Sequence, residues 1–189
     1  MEIETVLEKG DGILAVDVQN DFCPGGRLPI KGGDEVVPVL NIWIRAAIHK
    51  GIPVYVSRDW HPVRHISFAD EGGPWPPHCI EETAGAAFHP DLLLPENAIR
   101  ISKGVRFDKD QNSAFDETGL AFQLRRDNIK RIWVGGLALD VCVLATVLDG
   151  RKEGFAVNVL LGACRPVSPE GREKAITEMK AAGAELIKD

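Results

Sequence analysis

Short apolar runs alternate with amphipathic stretches along this chain, and that alternation predicts its architecture. Gly12–Ile13–Leu14–Ala15–Val16, closed by Asp17, reads as a strand over 12–17. Residues 35–49 follow as a helix, with Val36, Val39, Leu40, Trp43 and Ala47 near helical spacing and Gly51 at its C-cap. A second strand covers 52–57, where Pro53 fits only near the start. Residues 59–96 show no periodicity, and stretches that long without regular elements are often functional. The alternation then resumes. Strands are expected at 98–102, 131–135, 156–161 and, briefly, 184–187, with helices at 118–128, 140–153 and 169–182. Ser168–Pro169–Glu170 opens the last helix and Gly183 closes it. Strands alternating with helices predict an α/β fold, a mainly parallel sheet with helices on both faces in three layers. With no repeat, linker or low-complexity tract, residues 1–189 read as a single domain.

Charge and cysteine usage exclude several classes. A formal net charge of -6 argues against nucleic acid as a partner, because phosphate binding needs concentrated Lys and Arg. No apolar run reaches the roughly 18–20 residues of a membrane span. Glu2, Glu4 and Glu8 at the start do not resemble a signal peptide, so the cytoplasm is the expected compartment. Cys23, Cys79, Cys142 and Cys164 form no CxxC pair and read as free thiols. A small molecule is the expected partner, and a homo-oligomer stays open.

Ligands of parallel α/β sheets bind beyond the carboxyl ends of the strands. Asp17, Asp59, Lys103 and Cys142 each fall just past an expected strand. Singly, Asp17 reads as a helix cap, Lys103 as a solvated lysine and Cys142 as a small buried hydrophobe. Together at one sheet edge they read as an acyl-transfer site. Cys142 would open a helix, among N–H groups that favour its thiolate. Asp17, with a pKa raised by burial, would move the proton. Lys103 would hold Asp17 and stabilise the thiolate, and backbone N–H groups at the start of the Cys142 helix would bind an oxyanion. Asp59, His61 and His78, with His65 nearby, form a carboxylate–imidazole set suited to Zn, Fe or Mn. Its bland alternative is a polar loop carrying surface histidines. Asp108–Lys109–Asp110–Gln111–Asn112 starts like a calcium loop but is rejected, because Ser113 stands where that loop needs Gly and Gly119 where it needs Glu.

Several segments resemble those of bacterial and archaeal nicotinamidases, which belong to the isochorismatase-like cysteine hydrolases. Asp17–Val18–Gln19–Asn20–Asp21–Phe22–Cys23–Pro24–Gly25–Gly26 resembles their opening motif. Arg58–Asp59–Trp60–His61–Pro62 and Trp75–Pro76–Pro77–His78–Cys79 resemble their metal segments. Lys103–Gly104 and Gly136–Leu137–Ala138–Leu139–Asp140–Val141–Cys142 resemble their lysine and nucleophile segments. The resemblance runs in order from about residue 12 to the end. It implies the isochorismatase-like fold and hydrolysis of nicotinamide, and often pyrazinamide, through a cysteine thioester in NAD salvage. It implies Cys142 as nucleophile, Asp17 as proton carrier and Lys103 as third member. One divalent metal, with zinc the first choice, would sit on Asp59, His61 and His78 and take the pyridine nitrogen. A cis Leu137–Ala138 bond is implied, with the Ala138 and Cys142 N–H groups as oxyanion donors and Phe22 and Trp75 around the ring. Asn112 departs from the resemblance, standing where many members carry Tyr. The alternative activity is a sister cysteine hydrolase of another small amide. A metal-hydroxide hydrolase with a structural Cys142 and a non-catalytic binding module are further alternatives.

Overall fold

In the computed structural model, which describes residues 3–188, a six-stranded sheet runs in the order β3-β2-β1-β4-β5-β6. The strands are β1 (Asp11–Val16), β2 (Val54–Asp59), β3 (Ile99–Lys103), β4 (Arg131–Leu137), β5 (Ala156–Arg165) and β6 (Glu185–Ile187). Every neighbouring pair is parallel. The chain winds outward from β1 to β3 on one side, then returns to β4 and winds outward on the other. That reversal leaves a crevice between the carboxyl ends of β1 and β4, where ligands of such sheets bind.

Two apolar layers hold the sheet. Successive side chains of a strand point to opposite faces, so Ile13 and Ala15 join one core while Leu14 and Val16 join the other. The first core is covered by α2 (Val36–Lys50) through Val36, Leu40, Trp43, Ile44 and Ala47, with the short α1 (Ile3–Val6) packed against α2. The second is covered by α3 (Leu120–Arg126), α4 (Leu144–Lys152) and α5 (Pro169–Ala181) through Leu120, Leu124, Val147, Ala175 and Met179. Burial on both faces explains why β1 reads as a continuous apolar run. The three-layer α/β/α expectation is met.

Helix ends follow the residues that stop them. Gly51 caps α2 in the left-handed conformation, its N–H directed to the Ala47 and Ile48 carbonyls. The Ser168 hydroxyl accepts from the Gly171 N–H at 2.9 Å at the start of α5. Strand ends differ more. β2 runs over 54–59 instead of 52–57, because Pro53 has no N–H to give and Asp59 pairs with Lys103. β5 extends to Arg165.

The segment between β2 and β3 holds only one 3-10 turn, at Ala69–Glu71, among its described residues. It is tied internally instead. His61 N donates to Cys79 O, Glu81 N donates to His61 O, and Phe68 bridges Trp75. The Asp21 carboxylate accepts from Cys79 N at 2.8 Å. No helix of the described residues is long and apolar enough to cross a membrane.

Candidate active site

Three strand ends deliver the reactive side chains to the crevice. Asp17 follows β1 with φ of 50°, a left-handed turn that Asp tolerates better than most residues. Its side chain is fully buried, and Oδ1 accepts from Ser57 Oγ at 2.6 Å. Lys103 ends β3 opposite Asp59 at the end of β2. The buried Lys103 ammonium lies 2.7 Å from Asp17 Oδ2, 2.5 Å from Asp59 Oδ1 and 3.5 Å from Cys142 Sγ. Asp17 Oδ2 has no aligned hydrogen bond among the described residues, so it keeps a lone pair for the thiol proton.

Cys142 arrives differently from the expectation. The chain leaves β4 through Gly135 and Gly136, and the Leu137–Ala138 bond is cis, as the resemblance implied. Gly136 has φ of 136° beside the Val16 backbone, where any Cβ would collide. Cys142 then sits inside a π-helical turn, Leu139–Val143, that precedes α4, instead of opening the α-helix.

Burial opposes the thiolate that helix N–H groups would favour. Burial pushes the Cys142 pKa well above 9.0; Lys103 pulls it down, and the charge of Asp17 raises it again. Burial therefore favours the protonated thiol. Burial likewise raises the Asp17 pKa above 3.8 against the pull of Lys103, as expected of a proton carrier. Lys103 stays charged, because its carboxylate neighbours outweigh the penalty of burial. A weakly acidic thiol beside a buried carboxylate suits proton transfer during attack, not a pre-formed ion.

Asp59, His61 and His78 are all buried, and each offers a ligand atom within 4.8 Å of the others. His61 Nδ1 bonds Gly104 O at 2.9 Å, and His78 Nδ1 bonds Pro76 O at 2.7 Å. Both rings thus spend Nδ1–H on a carbonyl and turn the Nε2 lone pair toward Asp59 Oδ2, at 3.6 and 3.9 Å. Fixing the tautomer through the other ring nitrogen is how proteins prepare metal-ligating histidines. The donor set therefore fits a divalent metal. Asp17, Asp59 and Cys142 also lie within 4.8 Å of one another, but the Lys103 ammonium between them repels a cation.

His65 does not join the set. It stacks on His61 with ring centroids 4.1 Å apart, and both of its nitrogens are engaged, with Ser67 Oγ at 2.7 Å and Lys109 O at 3.2 Å. Phe22 and Trp75 line the cavity above Cys142, together with Ala138, Asp59, His61 and His78. The space beside them opens to solvent and measures about 520 Å³ with that open mouth included.

Sequence reasoning missed some residues. Gln19 is buried and clamps the backbone of Asp59, its Nε2 donating to Asp59 O at 2.7 Å and its Oε1 accepting from Asp59 N at 2.8 Å. Its only signal was a place in the opening motif. Leu28, Pro29, Ile30 and Val167 also line the cavity and gave no signal at all.

A doubly wound parallel sheet with a buried cysteine, lysine and aspartate at its reversal point marks an α/β enzyme whose site lies at that point. Residues 11–188 match the isochorismatase domain family, and the chain belongs to that family. It is 39% identical over 197 residues to an Escherichia coli (strain K12) nicotinamidase, covering 92% of each chain. The pyrazinamidase of Pyrococcus horikoshii, solved in complex with zinc, superposes with a TM-score of 0.92 at 43% identity, covering 95% of this chain and 99% of that one. An L. infantum protein solved with nicotinate superposes with a TM-score of 0.89 at 36% identity, covering 95% and 93%.

Proposed function

We propose that this chain is a nicotinamidase, a cysteine amidase that hydrolyses nicotinamide to nicotinate and ammonia and also accepts pyrazinamide. One observation carries the reading. The buried Asp59–His61–His78 donor set opens into the same cavity as Cys142. An aromatic amide with a ring nitrogen needs a partner for that lone pair and a nucleophile for its carbonyl. A divalent ion on this set, with zinc proposed and iron or manganese as alternatives, would supply a Lewis-acidic seat for the ring nitrogen. Phe22 and Trp75 would hold the ring faces.

The thiol of Cys142 gives its proton to Asp17 as sulfur attacks the carboxamide carbon. A C–S bond forms, and the carbonyl π pair moves to oxygen, where the Ala138 and Cys142 N–H groups are the proposed donors. When the C=O re-forms, the C–N bond breaks and Asp17 protonates the leaving nitrogen, which departs as ammonia. Water then attacks the thioester and yields its proton to the Asp17 carboxylate. Collapse breaks the C–S bond, the proton returns to sulfur, and nicotinic acid leaves and gives its remaining proton to solvent as nicotinate. Lys103 stays an ammonium throughout and offsets the charge on Asp17 and on sulfur. The proposed role is NAD salvage in the cytoplasm.

A second reading, hydrolysis of another small amide by the same chemistry, has one observation in its favour. Asp110 and Asn112 add polar groups to the lining beyond the Asp59–His61–His78 set and Cys142. Ammonia release from nicotinamide by the metal-replete protein, beside Cys142→Ala, tests both. Release by the native chain alone supports the nicotinamidase reading. No release from nicotinamide, with release from another amide, would replace it. Full activity in Cys142→Ala would point to metal-bound hydroxide instead.

A further inference from the structure

The sulfur of Cys142 has a neighbour on the open side of the site that no step above uses. Asn112 lies at the cavity mouth on the loop between β3 and α3, with Oδ1 4.0 Å from Cys142 Sγ. Its Nδ2 takes no partner among the described residues, so only the long Sγ–Oδ1 contact holds the orientation of the carboxamide. The loop around it is held firmly. Gln111 accepts from Gly104 N at 3.0 Å and donates to Asp116 O, while Ala114 N donates to Thr146 Oγ1 at 2.9 Å. A hydrogen-bonded loop thus presents to the nucleophile an amide whose Nδ2 is unpartnered among the described residues.

An amide of this kind has two faces. Its oxygen accepts and its nitrogen donates, and rotation about χ2 exchanges them within a broad, two-fold well. At rest, with the thiol protonated, S–H can point to Asn112 Oδ1. Once Asp17 holds the proton, a carbonyl oxygen facing the sulfur is repulsive, whereas an N–H is attractive. Lys103 cannot make such an exchange, because it carries no acceptor and is locked between Asp17 and Asp59.

We infer that Asn112 is a further catalytic residue: its carboxamide turns over during attack and donates Nδ2–H to the negative charge developing at Cys142. The inference rests on Cys142 being the nucleophile, but not on nicotinamide being the substrate. The proton still passes from sulfur to Asp17 and then to the leaving nitrogen. Asn112 only changes which of its atoms meets the charge.

Asn112→Ala and Asn112→Asp test it, with native folding checked by circular dichroism. Two readouts are taken: steady-state kinetics on nicotinamide, and the rate of stoichiometric alkylation of Cys142 by iodoacetamide at fixed pH. Loss of the donor lowers kcat by about 10–100-fold with little change in KM, somewhat less than loss of a dedicated oxyanion donor. Asn112→Asp, which offers only acceptors and a charge, slows alkylation further than Asn112→Ala. Unchanged kcat and alkylation in both folded variants would overturn the inference. So would a rise in KM alone, which would make Asn112 a ring contact. A native chain inactive on nicotinamide whose alkylation still responds to Asn112 would remove the substrate reading and leave this one standing. Full activity of Cys142→Ala would remove both.

Discussion

Lys103 and Asp59 face each other across neighbouring strands, and their contact joins the two halves of the site. The two residues are register partners at the ends of β3 and β2, with Lys103 Nζ 2.5 Å from Asp59 Oδ1. The other carboxylate oxygen of Asp59 faces His61 and His78. One aspartate therefore anchors the ammonium beside the nucleophile and contributes to the candidate metal set. Burial alone would favour the neutral acid, but Lys103 and then His61 overcome it and hold Asp59 well below the usual carboxylate range.

Replacing Lys103 by Met strands two buried carboxylates. Removing one member of a buried charge cluster typically destabilises by about 3–5 kcal/mol. Urea unfolding should show a loss of that order, and kcat/KM should fall by at least about 10³-fold. A stable variant with native turnover would show that the ammonium is not needed on either side of Asp59.

The pH profile follows from Asp17 and Cys142. Attack requires an ionised Asp17 to receive a proton that Cys142 still holds. Burial raises Asp17 above 3.8, so kcat/KM should rise with pH through an acid limb centred above that value. Cys142 is raised above 9.0, so the alkaline fall should begin only beyond it. Both limbs belong to the pair, since the two groups share one proton. An acid limb at or below 3.8 would show that Asp17 is not the base.

Gly104 leaves room for the candidate metal set. Its φ is 64°, and a Cβ there would collide with the His61 ring at Cε1 and Nδ1. Gly104→Ala should displace His61 and reduce bound zinc well below one equivalent, as read by elemental analysis. Chelation of the native protein should abolish nicotinamide binding in calorimetry, and added zinc should restore it. Binding that survives complete metal removal would detach the ring from this set.

Trp75 is half-buried on the wall of the cavity that the core residue Phe22 also lines. Trp75→Ala should raise KM for nicotinamide by about tenfold, or roughly 1.4 kcal/mol, with kcat little changed. Unaltered KM would place the ring elsewhere in the cavity.

The sequence by itself determined the layers and the cast of residues. Apolar runs buried on both faces, such as Ile13–Leu14–Ala15–Val16, announce parallel strands because neither face can be polar. Glycine stops and the Ser-Pro start mark helix ends through backbone preference, which is local. The reactive residues were legible because each stands where an apolar run ends. Tertiary structure decided what locality cannot. It set the strand order, and so put Asp17 and Cys142 on either side of the β1–β4 crevice. It turned the cysteine segment into a π-helical turn and buried the thiol so deeply that desolvation outweighs Lys103. It also sorted the histidines, giving His61 and His78 carbonyl partners that free Nε2 while occupying both nitrogens of His65. Protonation and ligand geometry depend on atoms distant in sequence and adjacent in space, and no run of neighbouring residues encodes those distances.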